Sequence, residues 1–294
     1  MNARLRDREN ATVMASGAPP SRTASPTLRA AQVLTVLIGT LMIVAAGAGL
    51  FAEGLYRDVA WAREAFRGAD LVTLALAVPL LIAGLVLAAR GSRRGQVVWI
   101  GLLGYAVYNY SYAVFGAEFN DLLLLHIAIL SMSLFALACA LPSMARAWAS
   151  RPDSSHADRW VGGFLVLVGA AQGALWVVLV LRNAFTGALL NDIPVDGQHL
   201  VFGLDLALLV PTLVLAGVLL FLRRPVGVLL AGAICVFGAV YQVNLMMAGV
   251  FQENAGVAGV KAFPLESLVL TAAFVLAAVV MLRRSGLRAD EEAT

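Results

Sequence analysis

Acidic, hydroxyl, amide and imidazole side chains set deep inside apolar stretches are the groups in this sequence able to do chemistry, and Asp205 heads them. It lies in Leu200–Leu222, an apolar run, about six residues or roughly 9 Å from the start of a helix. A charge at that depth costs a few kcal/mol, and helix capping cannot explain it. Six residues later Pro211 removes one backbone donor, which deprives the carbonyl of Ala207 of its helical partner. Pro79 does the same for Ala75 in an earlier run, where Thr73 occupies the place of Asp205. A carboxylate beside such a carbonyl suits a cation or a protonated group, or else a structural hydrogen bond.

The donors around it follow from helical spacing. Tyr105, Tyr108, Asn109 and Tyr112 stand at i, i+3, i+4 and i+7, one polar stripe on one helix. Tyr241 and Asn244 pair at i, i+3 on another. His126 is the one histidine inside an apolar run, at a depth comparable with Asp205. The expected ligand-binding set is therefore Asp205, Tyr108, Asn109, His126, Tyr241, Asn244 and Thr73. Asp70, Asn120, Asp121 and Glu266 sit at the starts of apolar runs, where capping and the helix dipole account for them. His199 sits at a helix start and His156 between helices, so neither argues for chemistry. Nucleophile elbow, phosphate loop, zinc-binding His-Glu-x-x-His and Cys-x-x-Cys patterns are all missing. The sequence therefore implies no catalytic residues, metal or cofactor, and Cys139 and Cys235 read as small buried hydrophobes.

These side chains need long apolar elements to hold them. The 294 residues are 61% hydrophobic and 13% charged, about half the charged fraction of a soluble domain, with mean hydropathy +0.85. Eight apolar stretches, at 30–52, 70–89, 96–116, 121–141, 160–181, 200–222, 226–251 and 263–282, are each long enough to cross a bilayer as a helix. The expectation is an all-α integral membrane protein of eight transmembrane helices. Residues 1–28 read as a disordered cytoplasmic tail and 285–294 as a C-terminal one. Between them lie two four-helix units, 29–150 and 151–284.

Alternate inter-helix segments and the two tails hold sixteen of the 21 Lys and Arg residues, which places both termini in the cytoplasm. That distribution also explains the net charge of +3 without a nucleic-acid partner. Leu55, Val59, Ala62 and Phe66 recur at helical spacing beside Arg57, Asp58, Arg63, Glu64 and Arg67, so this stretch reads as a short amphipathic helix in the membrane interface. Phe185, Leu189, Leu190 and Ile193 fill the corresponding place in the second half.

That correspondence extends further. Val36-Leu37-Ile38-Gly39 matches Val166-Leu167-Val168-Gly169, Pro79 matches Pro211, and Ala106-Val107-Tyr108-Asn109 matches Ala239-Val240-Tyr241-Gln242. The offsets are 130, 132 and 133 residues, the mark of a duplicated four-helix unit. Four spans is an even number, so the halves enter from the same side and are parallel repeats.

The stretch Tyr105-Ala-Val-Tyr108-Asn109-Tyr110-Ser111-Tyr112, then Phe115-Gly116 and Phe119-Asn120, resembles one found in a family of bacterial multi-pass membrane proteins with no established activity. The resemblance covers about half the chain and implies a helical fold in the bacterial inner membrane, with no activity attached. The expected partners are the lipid bilayer and a small solute or cation. A carrier or channel with an outward-facing polar cavity fits the one-sided polar residues best. The alternative is a non-catalytic subunit or sensor that binds a lipid or a partner protein.

Overall fold

A computed structural model describes residues 25–148, 156–187 and 195–291, and every regular element among them is helical. Eight helical elements follow in chain order: α1 (Pro26–Phe51), α2 (Ala60–Ala89), α3 (Arg93–Phe115), α4 (Leu123–Ala147), α5 (His156–Thr186), α6 (Val195–Phe221), α7 (Pro225–Asn254) and α8 (Leu265–Glu291). Seven of them are long and apolar enough to cross a membrane. The eighth, α3, falls short because it carries Tyr105, Tyr108, Asn109, Tyr110, Ser111 and Tyr112, and it compensates by being buried.

Local chemistry sets the boundaries. Ser25 caps α1 by accepting from the N–H of Leu28 at 3.3 Å, and Pro26 supplies a pre-set φ at the first turn. Ser92 caps α3 through Gly95 N–H at 3.2 Å. At the end of α2 the chain turns through Gly91 at φ +86°, with Ser92 N–H closing on Leu87 O at 3.0 Å. The end of α6 makes the same turn through Arg223 at φ +53°, with Arg224 N–H closing on Leu219 O at 3.0 Å. A non-glycine residue in the left-handed region is strained, and Arg223 is the one such residue described.

Two helices carry a π turn. In α2 it spans Thr73–Ala77, with Val78 N–H bonded to Thr73 O. In α6 it spans Asp205–Leu209, with Val210 N–H bonded to Asp205 O. A proline follows each, Pro79 and Pro211, and its missing N–H makes the widened turn the cheaper way to carry the helix past that point.

The bundle centres on α7, which is buried along most of its apolar length, whereas α5 at the rim is largely uncovered. α7 packs along α3, α2, α6 and α8, while α1 packs on α4 and α2. Close approaches run through glycine. A Cβ on Gly101 would come 2.6 Å from Ala233 O, and one on Gly68 would come 2.6 Å from the backbone of Ala248. Trp99 is fully buried and donates its indole N–H to Thr35 Oγ1 at 2.9 Å, tying α3 to α1.

Several expectations need correction. The amphipathic stretch before the second span is not a separate interfacial helix, because α2 is continuous from Ala60, and Leu55 and Val59 precede it. Its first turns pack on α7, where Gly68 meets Ala248, Arg67 lies over the Phe251 ring at 5.7 Å, and Gln252 donates to Trp61 O at 2.8 Å. Asp70 consequently sits well inside α2, not at a helix start, so capping does not account for it. His156 begins α5 instead of lying between helices. Pro26–Leu28 are helical at the edge of the expected tail, and α8 runs on to Glu291. Residues 1–24 and the second stretch's Leu189, Leu190 and Ile193 lie outside the described residues. Glu266 does fall in the first turn of α8, and Asn120 Oδ1 does accept from Leu122 N–H at 3.0 Å ahead of α4.

Candidate functional site

Asp205 opens the π turn of α6 and is 4% exposed. Its Oδ1 accepts a hydrogen bond from Tyr108 Oη of α3. Its Oδ2 accepts from Gln172 Nε2 at 2.7 Å and Trp176 Nε1 at 2.8 Å, both on α5. One carboxylate therefore joins three helices and is met by three donors, with no cation among them. Hydrogen bonds to a charged acceptor in a low-dielectric setting are worth more than neutral ones, so the junction is a strong one.

Tyr108 is the hub of an aromatic group. Its ring meets Tyr241 edge-on at 5.0 Å, Phe237 at 5.5 Å and Tyr112 at 5.3 Å, and Phe237 stacks on Tyr241 at 5.6 Å. The hydroxyls of Tyr108 and Tyr112 lie 3.2 Å apart. Hydroxyls thus lead from the carboxylate toward the C-terminal end of α3. That tyrosine-rich end also holds the loops 52–59, 116–122 and 255–264. The opposite, arginine-rich end carries Arg90, Arg93, Arg94, Arg223, Arg224, Arg283 and Arg284.

The residues expected around Asp205 divide into separate groups. Tyr108 bonds it, and Tyr241 packs against Tyr108. Asn109 and Asn244 pair with each other at 3.4 Å between α3 and α7. Thr73 opens the other π turn, with its hydroxyl 3.2 Å from that of Tyr105. His126 is not among the partners of Asp205; its ring lies 5.6 Å from Tyr110, on a different face of α3 from Tyr108. Residues 108 and 110 are two apart, about 200° around a helix, so a side chain that meets one does not meet the other.

Gln172 and Trp176 were missed by sequence reasoning. They stand at i, i+4 on α5, the helical spacing that puts two side chains on one face, and Gln172 is the sole amide in the apolar body of that helix. A search for partners of Asp205 confined to the tyrosine stripe passes over both. Trp176 is set by its neighbour Phe202, whose ring lies 4.6 Å away.

No group of three or more His, Cys, Asp or Glu able to hold a metal occurs among the described residues. No protein-family model, curated protein or solved structure matches the chain.

Proposed function

We propose that this multi-pass membrane protein is a carrier or channel for a small solute or cation, with Asp205 as its ion- or proton-responsive group. The observation that carries the reading is a buried carboxylate at the π turn of a proline-hinged helix, holding three helices together. Binding a cation or proton at Asp205 weakens its hold on Tyr108, Gln172 and Trp176, which frees α5 and α6 to move relative to α3. π turns occur often at functional sites because they leave backbone groups and side chains ready for rearrangement.

The same reading takes the chain as eight spans in two parallel four-helix halves, and several coincidences at one offset support the duplication. The π turns begin at Thr73 and Asp205, α2 and α6 are followed by left-handed Gly91 and Arg223, and the next helices begin at Arg93 and Pro225, each pair 132 apart. Residues also meet their own counterparts, Gly101 with Ala233 and Tyr108 with Tyr241, as they do on a twofold axis between α3 and α7. The halves then share a bacterial inner membrane with both termini cytoplasmic and the tyrosine-rich end outward. Protease access to tags on Met1 and Thr294 in sealed vesicles tests that orientation, and cleavage of either tag from the periplasmic side rejects it.

One observation favours a second reading, a subunit or sensor that binds a lipid or partner protein at the tyrosine-rich end: the halves of the helices toward the arginine-rich end offer hardly any polar lining for a through path. Liposomes loaded with purified protein and screened for solute flux under proton and sodium gradients decide between them. Flux that is lost in Asp205→Asn with expression and melting preserved supports the carrier. Ligand binding with no flux supports the subunit or sensor, and full flux in Asp205→Asn rejects the role given to Asp205.

A further inference from the structure

The three partners of Asp205 differ in what they can do besides donate, and that difference selects the ion its carboxylate takes. Gln172 Nε2 and Trp176 Nε1 reach Oδ2 at 2.7 and 2.8 Å, and an amide or indole N–H can only donate. Tyr108 reaches Oδ1 through a hydroxyl, which both donates and accepts. A proton placed on Oδ2 would face two donors and strand them. A proton on Oδ1 instead turns toward Tyr108 Oη, which accepts it and directs its own hydrogen to Tyr112 Oη, 3.2 Å away. Oδ2 then stays a carbonyl oxygen and keeps both of its N–H partners.

A metal cation meets the opposite arrangement. It needs several oxygens in place of its hydration shell, whereas the three side chains bonded to Asp205 all aim hydrogens at the carboxylate. The titratable groups on this side of the site are Tyr108 and Tyr112 of α3, with Tyr241 of α7 packed edge-on against Tyr108 at 5.0 Å. From α5 the carboxylate is faced by Gln172 and Trp176, which do not titrate, and no charged partner of Asp205 occurs among the described residues.

The hydroxyls also form a route with one open end. Tyr112 is half-buried and stands three residues before Phe115, the last residue of α3, which is about 4.5 Å by helical rise. On the other side of Tyr108, toward the arginine-rich end, its ring neighbour is Phe237 at 5.5 Å, which has no hydroxyl to continue the chain. We propose that the ion taken up at Asp205 is a proton, delivered to Oδ1 from the tyrosine-rich end through Tyr112 Oη and Tyr108 Oη. Hydronium gives a proton to Tyr112 Oη as that hydroxyl passes its own hydrogen to Tyr108 Oη, and Tyr108 passes its hydrogen to Oδ1. Three O–H bonds form as three break, both phenols end as they began, and the entering charge neutralises Asp205. The inference rests on Asp205 being the ion-responsive group and goes further by naming the ion, the oxygen and the route.

Infrared difference titration of the full-length protein in nanodiscs tests it without flux, since the carboxylic C=O band missing from Asp205→Asn reports protonated Asp205. That band should grow in as pH falls, with a midpoint that lithium, sodium, potassium and choline chloride leave alike at equal ionic strength. Trp176→Phe removes a donor to Oδ2 and should move the band to higher frequency, as a carbonyl oxygen with fewer hydrogen bonds does. Tyr112→Phe keeps the ring and should leave the extent of protonation at each pH unchanged while slowing its appearance after a pH jump on the order of a hundredfold. A hydroxyl with a merely structural role would alter the extent or the Tm and not the rate. A midpoint displaced by sodium or potassium relative to choline would overturn the choice of proton and leave Asp205 as the ion-responsive group. A band unmoved in Trp176→Phe, an unslowed rise in Tyr112→Phe, or no titrating band lost in Asp205→Asn would overturn the oxygen, the route and the proton respectively. Proton uptake of the expected kind without solute flux would uphold this inference and reject the carrier.

Discussion

Replacing Asp205 by alanine and by asparagine separates the hydrogen bonds at the π turn from the charge. Alanine leaves Tyr108 Oη, Gln172 Nε2 and Trp176 Nε1 without their acceptor. Tyr108 can turn its hydroxyl to Tyr112, 3.2 Å away, so two donors remain stranded where no water replaces the lost partner. At about 1–3 kcal/mol for each stranded group, Asp205→Ala should lose roughly 2–6 kcal/mol. Asparagine can place its oxygen toward Gln172 and Trp176 and its amide toward Tyr108, which accepts while donating to Tyr112. It forfeits the charge assistance of each bond but also the cost of burying a charge, and the two nearly cancel, so Asp205→Asn should stay within about 1 kcal/mol of the native protein. In a thermal unfolding series of protein in nanodiscs, alanine should melt on the order of 10 °C below asparagine. An alanine variant melting at or above the asparagine variant would refute the claim that the three donors depend on this acceptor.

Other perturbations follow from the same contacts. Arg223→Gly relieves the left-handed strain at the end of α6 and should stabilise the protein by about 0.5–1 kcal/mol, read as a higher Tm; a lower Tm would show that the arginine side chain matters more than its backbone. Gly68→Ala drives a Cβ to 2.6 Å from the backbone of Ala248, so α2 and α7 must part, with a loss of about 1–3 kcal/mol in the same measurement. Because burial and the neighbouring Asp70 raise the Tyr56 phenol in the folded protein, its contribution is present at neutral pH and fades as pH climbs past about 10, the unfolded value. The stability gap between native protein and Tyr56→Phe should therefore narrow above that pH, and a gap that widens would reverse the assigned sign.

Apolar length and proline position were readable without coordinates, since both depend on chemistry local to the chain. The apolar runs fall on helices, seven of them long and apolar enough to cross a membrane, and the prolines at 79 and 211 mark where each ladder changes register. The contact between Asp205 and Tyr108 was also legible, because rise per residue sets depth and a buried carboxylate needs donors. Rotation about a helix axis was not. His126, expected from helix rise at the depth of Asp205, sits beside Tyr110 instead, and Gln172 with Trp176 turn toward Asp205 on a helix whose apolar residues mark no preferred face. Asp70 was misassigned because charged residues at 63, 64 and 67 resemble the polar edge of a membrane span. In the fold those charges pair with one another at 3.0 and 3.2 Å, and the helix simply continues.

The paired π turns bear on how far either helix must deform to reorient its acidic or hydroxyl residue. A π turn holds one residue more than the α ladder accommodates, and that surplus can travel along the helix by exchanging one backbone bond at a time. Each step turns the segment it passes by about 100° and shifts it by about 1.5 Å, with no unfolding and no stretch of exposed peptide. Asp205 and Thr73 stand at the first position of these surplus turns, so a single step of the defect would swing them away from Tyr108 and Tyr105. Motion of this kind is quantised: the side chain occupies one azimuth or the next, and the bilayer sees an intact helix in both.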